Sequence, residues 1–208
     1  MLLQEGLDLP VVPPEQQPVL QAVVRLAQTC EFEVNHTLQV TRLALHLFDE
    51  LKPLHRLGQR ERNWLIYAAL LHDIGWIEGW KEHHKVSLRI ILTTPMLPFS
   101  NKERLIIGSI ARYHRKTLPE EKHDHYAALS QPERHVVCTL AGCLRLADGL
   151  DHTHQQRVRD LSCKLSPKKI SISCTSILPD PADSEEAQLK SDLLGRAFHR
   201  KISLQGLI

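Results

Sequence analysis

Little in this sequence points toward a membrane, a nucleic acid or an oxidising compartment. No apolar stretch approaches the length of a membrane span. The start, Met1-Leu2-Leu3-Gln4-Glu5-Gly6, lacks a basic segment followed by an apolar run, so no signal peptide is expected. The net charge is only +2 with histidines neutral, so no global field favours nucleic acid. The five cysteines (Cys30, Cys138, Cys143, Cys163, Cys174) are odd in number and form no C-x-x-C. They read as reduced, intracellular and mostly packing residues. No Ser or Cys sits in a recognisable nucleophile motif, and Cys138 and Cys143 fall inside a predicted helix, where a thiol is usually inert. Aromatics are scarce at 5%, and there is no internal repeat or long low-complexity segment. These absences leave a cytoplasmic globular chain without a nucleophilic side chain to suggest its chemistry. What it has in plenty is histidine, 13 in all, which suits a metal or phosphate site.

At 208 residues, 42% hydrophobic and 24% charged, the chain can bury a real core as one domain with a small appendage. Residues 1–18 read as an extended lead-in marked by Pro10, Pro13, Pro14 and Pro18. A helical unit is expected over 19–156. Its first helix carries Leu20, Val23, Val24 and Ala27 at helical spacing. Asn35 is the expected N-cap of the second, whose stripe runs His36, Val40, Leu43, Leu47, Leu51. The third spans Gln59 to Asp73, followed by a loop to Lys81 and a helix opening at His83-His84. Ser100-x-x-Glu103 and Ser130-x-x-Glu133 read as capping boxes, in which the two side chains satisfy each other's orphan backbone donors. They open helices ending near His114 and Leu150. From 157 to 208 the pattern becomes a small α+β unit. Two strands flank the turn Ser166-Pro167-Lys168-Lys169, then come a loop at Asp180 to Asp183, one helix from Glu185 to Phe198 and a strand from Lys201 to Leu207.

The centre of the pattern is Ala69-Leu70-Leu71-His72-Asp73-Ile74-Gly75. Neighbouring helical residues point about 100° apart, so His72 and Asp73 can grip one ion only where the helix ends. Gly75 suits such a stop in the left-handed cap conformation. An Asp in the last turn opposes the helix dipole unless a cation is near. His36, His84, His114 and Asp148 are comparable misfits, each at or near a helix end and most of them prolonging an apolar face. A buried carboxylate such as Asp148 is costly unless paired or bound to metal. Two imidazoles and two carboxylates (His36, His72, Asp73, Asp148) suit Mn²⁺, Fe²⁺, Mg²⁺, Co²⁺ or Zn²⁺ with open positions left for water and substrate. Read one by one, the same residues are only satisfied core polar groups. His123, His125, His152 and His154 read as exposed loop histidines, and His46, His55, His135 and His199 as structural or surface groups.

The order His, His-Asp, His, His, Asp resembles the HD superfamily of metal-dependent phosphohydrolases. A narrower resemblance rests on LLHDIG, HHKVSLRII, IARYHRKTLP, LRLADGLDHTH and the tail segments VRDLSCKLSPKKISIS and LKSDLLGRAFHRKISL. These are similar to the C-terminal HD-type domain of the exopolyphosphatase / guanosine pentaphosphate phosphohydrolase family. That family hydrolyses polyphosphate in an N-terminal two-lobed ATPase-like domain, which 18 lead-in residues cannot hold, so that catalysis is not carried over. Its HD-type domain often has Glu where Asp73 stands and is thought not to be a metal hydrolase. The full doublet here favours an independent metal site. The resemblance implies a mainly α HD-domain fold with a divalent metal at His36, His72, Asp73 and Asp148. His84 and His114 would hold substrate phosphate or a second metal, and Arg112, Arg115, Lys116 and Arg145 would add phosphate contacts. It implies hydrolysis of a small phosphate ester, nucleotide or polyphosphate-like substrate through metal-activated water. The alternative it leaves open is a non-catalytic module that binds polyphosphate or guanosine polyphosphate, or docks on a separate ATPase-like subunit. A homodimer is also open.

Overall fold

Helix formation follows the apolar stripes almost everywhere in the structure, a computed structural model that describes residues 7–206. Residues 1–6 of the expected lead-in, and Leu207 of the expected last strand, lie outside the described residues. The rest of the lead-in is irregular through Pro13, then makes a 3₁₀ turn at Pro14–Gln16. The helices are α1 (Gln17–Thr29), α2 (Val34–Glu50), a short α3 (Lys52–His55), α4 (Gln59–Leu71), α5 (His83–Thr93), α6 (Asn101–Arg112), a short α7 (Asp124–Ala127) and α8 (Gln131–Leu150). The strands β1 (Val158–Leu165) and β2 (Lys169–Ser176) follow, then α9 (Pro181–Lys190), α10 (Asp192–Phe198) and β3 (Lys201–Gln205). The protein is therefore mainly α, with a small α+β appendage at its C-terminal end.

The longest helix, α8, is the axis of the core. It packs against α2, α4 and α6 on one side and against α9 and α10 on the other. Two glycines let the second contact form. A Cβ on Gly142 would stand 2.9 Å from Leu194 Cα, and one on Gly149 would stand 2.7 Å from Ala187 Cα, so only hydrogen fits at these crossings. Strands β1 and β2 pair antiparallel and β3 joins β2 in parallel, giving the order β1-β2-β3. Val158, Leu161, Ile170, Ile172 and Ile202 carry the sheet into the same hydrophobic core as the helices. Arg42 and Gln39 of α2 donate to the Val158 carbonyl and tie the sheet to the bundle.

Both capping boxes form, with Glu103 accepting from the Ser100 N–H at 3.0 Å and Glu133 from the Ser130 N–H at 2.7 Å. Three local expectations fail. Helix α2 starts one residue before Asn35, and its N-cap is Glu33, which caps without a side-chain bond. The expected loop at 180–183 is helical from Pro181, because Asp180 accepts from the Ala182 N–H as an N-cap. The single expected helix from Glu185 to Phe198 is two, broken at Ser191, whose hydroxyl bonds back to the Gln188 carbonyl.

Candidate metal centre

Gly75 sets the entrance to the site, though not as a left-handed cap. The chain after α4 runs into a 3₁₀ turn at Ile74–Glu78, and Gly75 lies inside it. A Cβ there would fall 2.0 Å from the His83 carbonyl oxygen. The glycine is needed so that α5 can press against the doublet. Ser87 of α5 locks this contact, accepting from the Gly75 N–H at 2.9 Å and donating to the His72 carbonyl at 2.7 Å.

Four buried imidazoles surround Asp73, and each uses its Nδ1 in the same way. His72 Nδ1 donates to the Ala69 carbonyl (2.7 Å), His114 Nδ1 to the Ala111 carbonyl (2.6 Å) and His83 Nδ1 to the Trp80 carbonyl (3.0 Å). His36 Nδ1 donates to Asp151 Oδ2 at 2.8 Å. A carbonyl can only accept, so the proton sits on Nδ1 in those three and Nε2 keeps its lone pair. Such tethers orient metal-binding histidines and raise their basicity. Three of them use the carbonyl three residues back, which for His72 and His114 is one of the last carbonyls of a helix.

The four Nε2 atoms converge on Asp73. Oδ2 faces His72 Nε2 at 3.4 Å and His36 Nε2 at 3.9 Å, while Oδ1 faces His83 Nε2 at 3.0 Å and His114 Nε2 at 3.4 Å. In each of two trios, His36–His72–Asp73 and Asp73–His83–His114, the ligand atoms lie within 4.8 Å of one another. Nε2 of His36, Nε2 of His72 and Oδ1 of Asp73 are buried without a hydrogen-bond partner. Buried polar atoms left open in this way fit a cation with nitrogen and oxygen ligands. Asp148 stands beside the first trio, its Oδ1 3.4 Å from His36 Nε2 and 3.9 Å from His72 Nε2. Its other oxygen is taken by Lys190 Nζ at 2.6 Å.

The charges agree with that picture. Burial raises the Asp73 carboxyl, but the imidazoles of His72, His83 and His114 outweigh it and hold it well below the usual carboxylate range. For Asp148 burial is likewise outweighed, here by Lys190, His36 and the other imidazoles. Burial pulls His36 down, yet Asp148 and Asp151 together push it up to about 10. Burial drives His114 well below its ordinary value. Two ionised carboxylates in a buried cluster thus draw positive charge toward themselves.

A cavity of about 440 Å³ opens in front of the cluster, with Arg115, Lys116, Trp76, Trp80 and Lys190 in its wall. Arg115 Nη1 lies 3.3 Å from His83 Nε2. The other expected phosphate contacts are placed differently. Arg145 lines the cavity but is clasped by Asp192 through two bonds of 2.7 and 3.1 Å and by the carbonyls of Tyr113 and Lys116. Arg112 is buried outside the cavity wall, with its Nη2 on Thr117. His84 is not in either trio, and His83 takes the place expected for it.

The residues that sequence patterns missed are His83, Asp151 and Lys190, with His154 behind them. His154 is half-buried, not exposed, and stacks on His36 with ring centroids 3.8 Å apart. His152 is exposed but lines the cavity. His123 and His125 are also half-buried, around Tyr113. His55 is structural, donating to the Phe48 carbonyl, and His46 sits near Asp160 at the surface. Only His83 left a sequence signal, its place beside His84.

The chain matches the family model described as "Ppx/GppA phosphatase, domain III" over residues 20–194. It is similar to a guanosine-5'-triphosphate,3'-diphosphate pyrophosphatase of Pseudoalteromonas atlantica, 28% identical over 148 residues, covering 70% of this chain and 29% of that protein. A protein of the same name from Pseudoalteromonas translucida is 34% identical over 73 residues, 35% of this chain and 15% of the other. The chain spans less than a third of the length of these relatives. The family model, by contrast, takes in every helix from α2 to α9 and with them the whole histidine cluster: the chain belongs to the Ppx/GppA phosphatase domain III family.

Proposed function

We propose that this chain is an HD-type, metal-dependent phosphohydrolase unit acting on a small phosphate ester, nucleotide or polyphosphate-like substrate. The observation that carries this reading is the convergence of four tethered imidazoles on Asp73. His36, His72 and Asp73, with Asp148 beside them, would hold one divalent ion of the Mn, Fe, Mg, Co or Zn class. Asp73, His83 and His114 would hold a second. Such an ion supplies Lewis acidity and lowers the pKa of water toward neutrality. The protein's own part is to hold the ligands in one protonation state through the Nδ1 tethers and to draw phosphate inward with Arg115 and Lys116. Lys190 keeps Asp148 charged and in place. The helical unit of residues 19–156 and the C-terminal unit of 157–208 would act as one site, because Lys190 comes from the second. The relatives' name supports a guanosine polyphosphate as one substrate to test.

One observation favours a second reading. The matched model is one domain of a larger enzyme, and the relatives are more than three times the length over which they match. On that reading the unit binds polyphosphate or guanosine polyphosphate, or docks on an ATPase-like subunit, without turnover. The experiment is a Mn²⁺ titration with elemental analysis, followed by a hydrolysis screen of nucleotides, guanosine polyphosphates, polyphosphate and simple phosphoesters with and without chelator. Activity that chelation abolishes is expected. Failure to bind any metal at micromolar concentration would sink the ligand assignment. Metal binding without turnover, together with tight polyphosphate binding, would select the second reading.

A further inference from the structure

Among the described residues, the exposed large apolar side chains include two aromatic ones, Trp76 and Trp80, and both line the cavity in front of the histidine cluster. They are 47% and 70% exposed, while the third tryptophan, Trp64, is buried. Aromatic side chains are scarce in this chain, and burying an indole is among the larger gains open to a fold. Two indoles left in solvent at one cavity mouth point to a binding surface.

Contacts to His83 fix where these residues stand. The Trp76 ring stacks on the His83 ring, with centroids 5.1 Å apart and planes 23° from parallel. The Trp80 carbonyl accepts from His83 Nδ1 at 3.0 Å, so the backbone that carries the second indole is tied to the same imidazole. Arg115 Nη1 lies 3.3 Å from His83 Nε2, and Lys116 follows it in the cavity wall. One imidazole thus joins the tryptophans to the cations and to Asp73, whose Oδ1 is 3.0 Å from its Nε2. A ligand whose phosphate sits at Arg115 and Lys116 meets the indoles with the group next to that phosphate.

We propose that Trp76 and Trp80 form a stacking wall for a planar heteroaromatic base, so that the substrate is a nucleoside phosphate and not inorganic polyphosphate or a simple sugar phosphate. This rests on the phosphohydrolase reading of the site. An indole face favours offset stacking on another flat ring, and every nucleobase offers one. The other guest that an indole face attracts is a cation, which Arg115 and Lys116 would repel. Inorganic polyphosphate has no apolar part and would leave both indoles in water. The cavity, about 440 Å³, falls in the range of small-molecule sites, roughly 300–1,000 Å³. Leu189 of α9, also exposed, adds an aliphatic contact to the same lining. Stacking of this kind governs which phosphate ester is held, and leaves its hydrolysis to the metal centre.

The test compares AMP, ribose 5-phosphate and inorganic tripolyphosphate on the full chain with Mn²⁺. AMP should quench tryptophan fluorescence saturably, and ribose 5-phosphate should not. The KM for AMP should be lower than that for ribose 5-phosphate by about tenfold or more. That preference should shrink in Trp80→Ala, largely return in Trp80→Phe and disappear in Trp76→Leu/Trp80→Ala. Because it is a ratio of two substrates on one protein, a general loss of fold or of metal does not imitate it. Equal KM values for AMP and ribose 5-phosphate, or a preference that persists in the double variant, would overturn the proposal. So would tripolyphosphate as the best substrate. Turnover without any preference for the base defeats the stacking wall and leaves the hydrolase reading standing. Saturable quenching by AMP without turnover of any phosphate does the reverse.

Discussion

Asp73 carries more of this site than any other residue, because both of its oxygens face imidazoles. Asp73→Asn keeps the shape and removes the charge. It is expected to lose the Mn²⁺-induced rise in melting temperature and all chelator-sensitive hydrolysis, while the circular dichroism spectrum stays that of the folded protein. A wild-type metal shift in this variant would remove Asp73 from the ligand set. Gly75→Ala adds one methyl at a contact with no room, 2.0 Å from the His83 carbonyl. It should cost about 1–3 kcal/mol and pull α5 away from the doublet. Urea unfolding gives the first effect, and weakened metal binding the second. At this scale the sequence was readable where a residue broke an apolar stripe, as His36, His72, His114 and Asp148 do. His83 and His84 could not be told apart, since neighbours on a helix point about 100° apart and only the phase of α5 chooses between them. That phase is set by the approach of Gly75 and by Glu82 at a left-handed φ of 57°, neither of which is a periodicity.

Helix ends, more than helix bodies, make the site, and Ser87 and Lys190 show how. Ser87 bridges the end of α4 to α5 with two bonds to backbone groups. Ser87→Ala leaves both unpaired and should cost about 1–3 kcal/mol for each group left unsatisfied. The check is chemical denaturation with and without Mn²⁺. Lys190, the last residue of α9, neutralises Asp148 from the far side. Lys190→Met should destabilise the metal-free protein by about 3 kcal/mol, because it strands a buried carboxylate. Added Mn²⁺ should then raise the melting temperature by more than in the wild type, since the ion no longer competes with an ammonium. An unchanged metal shift would mean that Asp148 is no ligand. The capping boxes at Ser100 and Ser130 were legible because both partners lie within four residues. Lys190 was not, because its role depends on α9 crossing α8 at Gly149, a contact between segments some 40 residues apart in the chain.

For the whole molecule, acid should act in two stages. His125 is pushed from its ordinary 6.5 down to about 4 by burial and by Arg112. Between those values the unfolded chain takes up a proton that the folded chain refuses, so stability falls as pH drops through that window. Glu133 is held from 4.5 down to about 2 by its bonds to Ser130, so its contribution is complete above 4.5 and is lost as pH falls toward 2. Urea midpoints from pH 7 to 2.5 should show a smaller first loss in His125→Gln and a smaller second loss in Glu133→Gln. The mainly helical class was legible from the stripes and the small sheet from its alternation. How α9 and α10 close on α8 was not, because close approach at Gly149 and Gly142 is a property of two surfaces. One feature of the site reaches furthest. A single carboxylate serves both trios, so ions in the two positions would share one negative charge and repel each other. Their binding would be negatively coupled, and linkage makes that coupling mutual. A metal isotherm should show two steps of unequal affinity, and His114→Ala should remove the weaker step while leaving the stronger one as in the wild type.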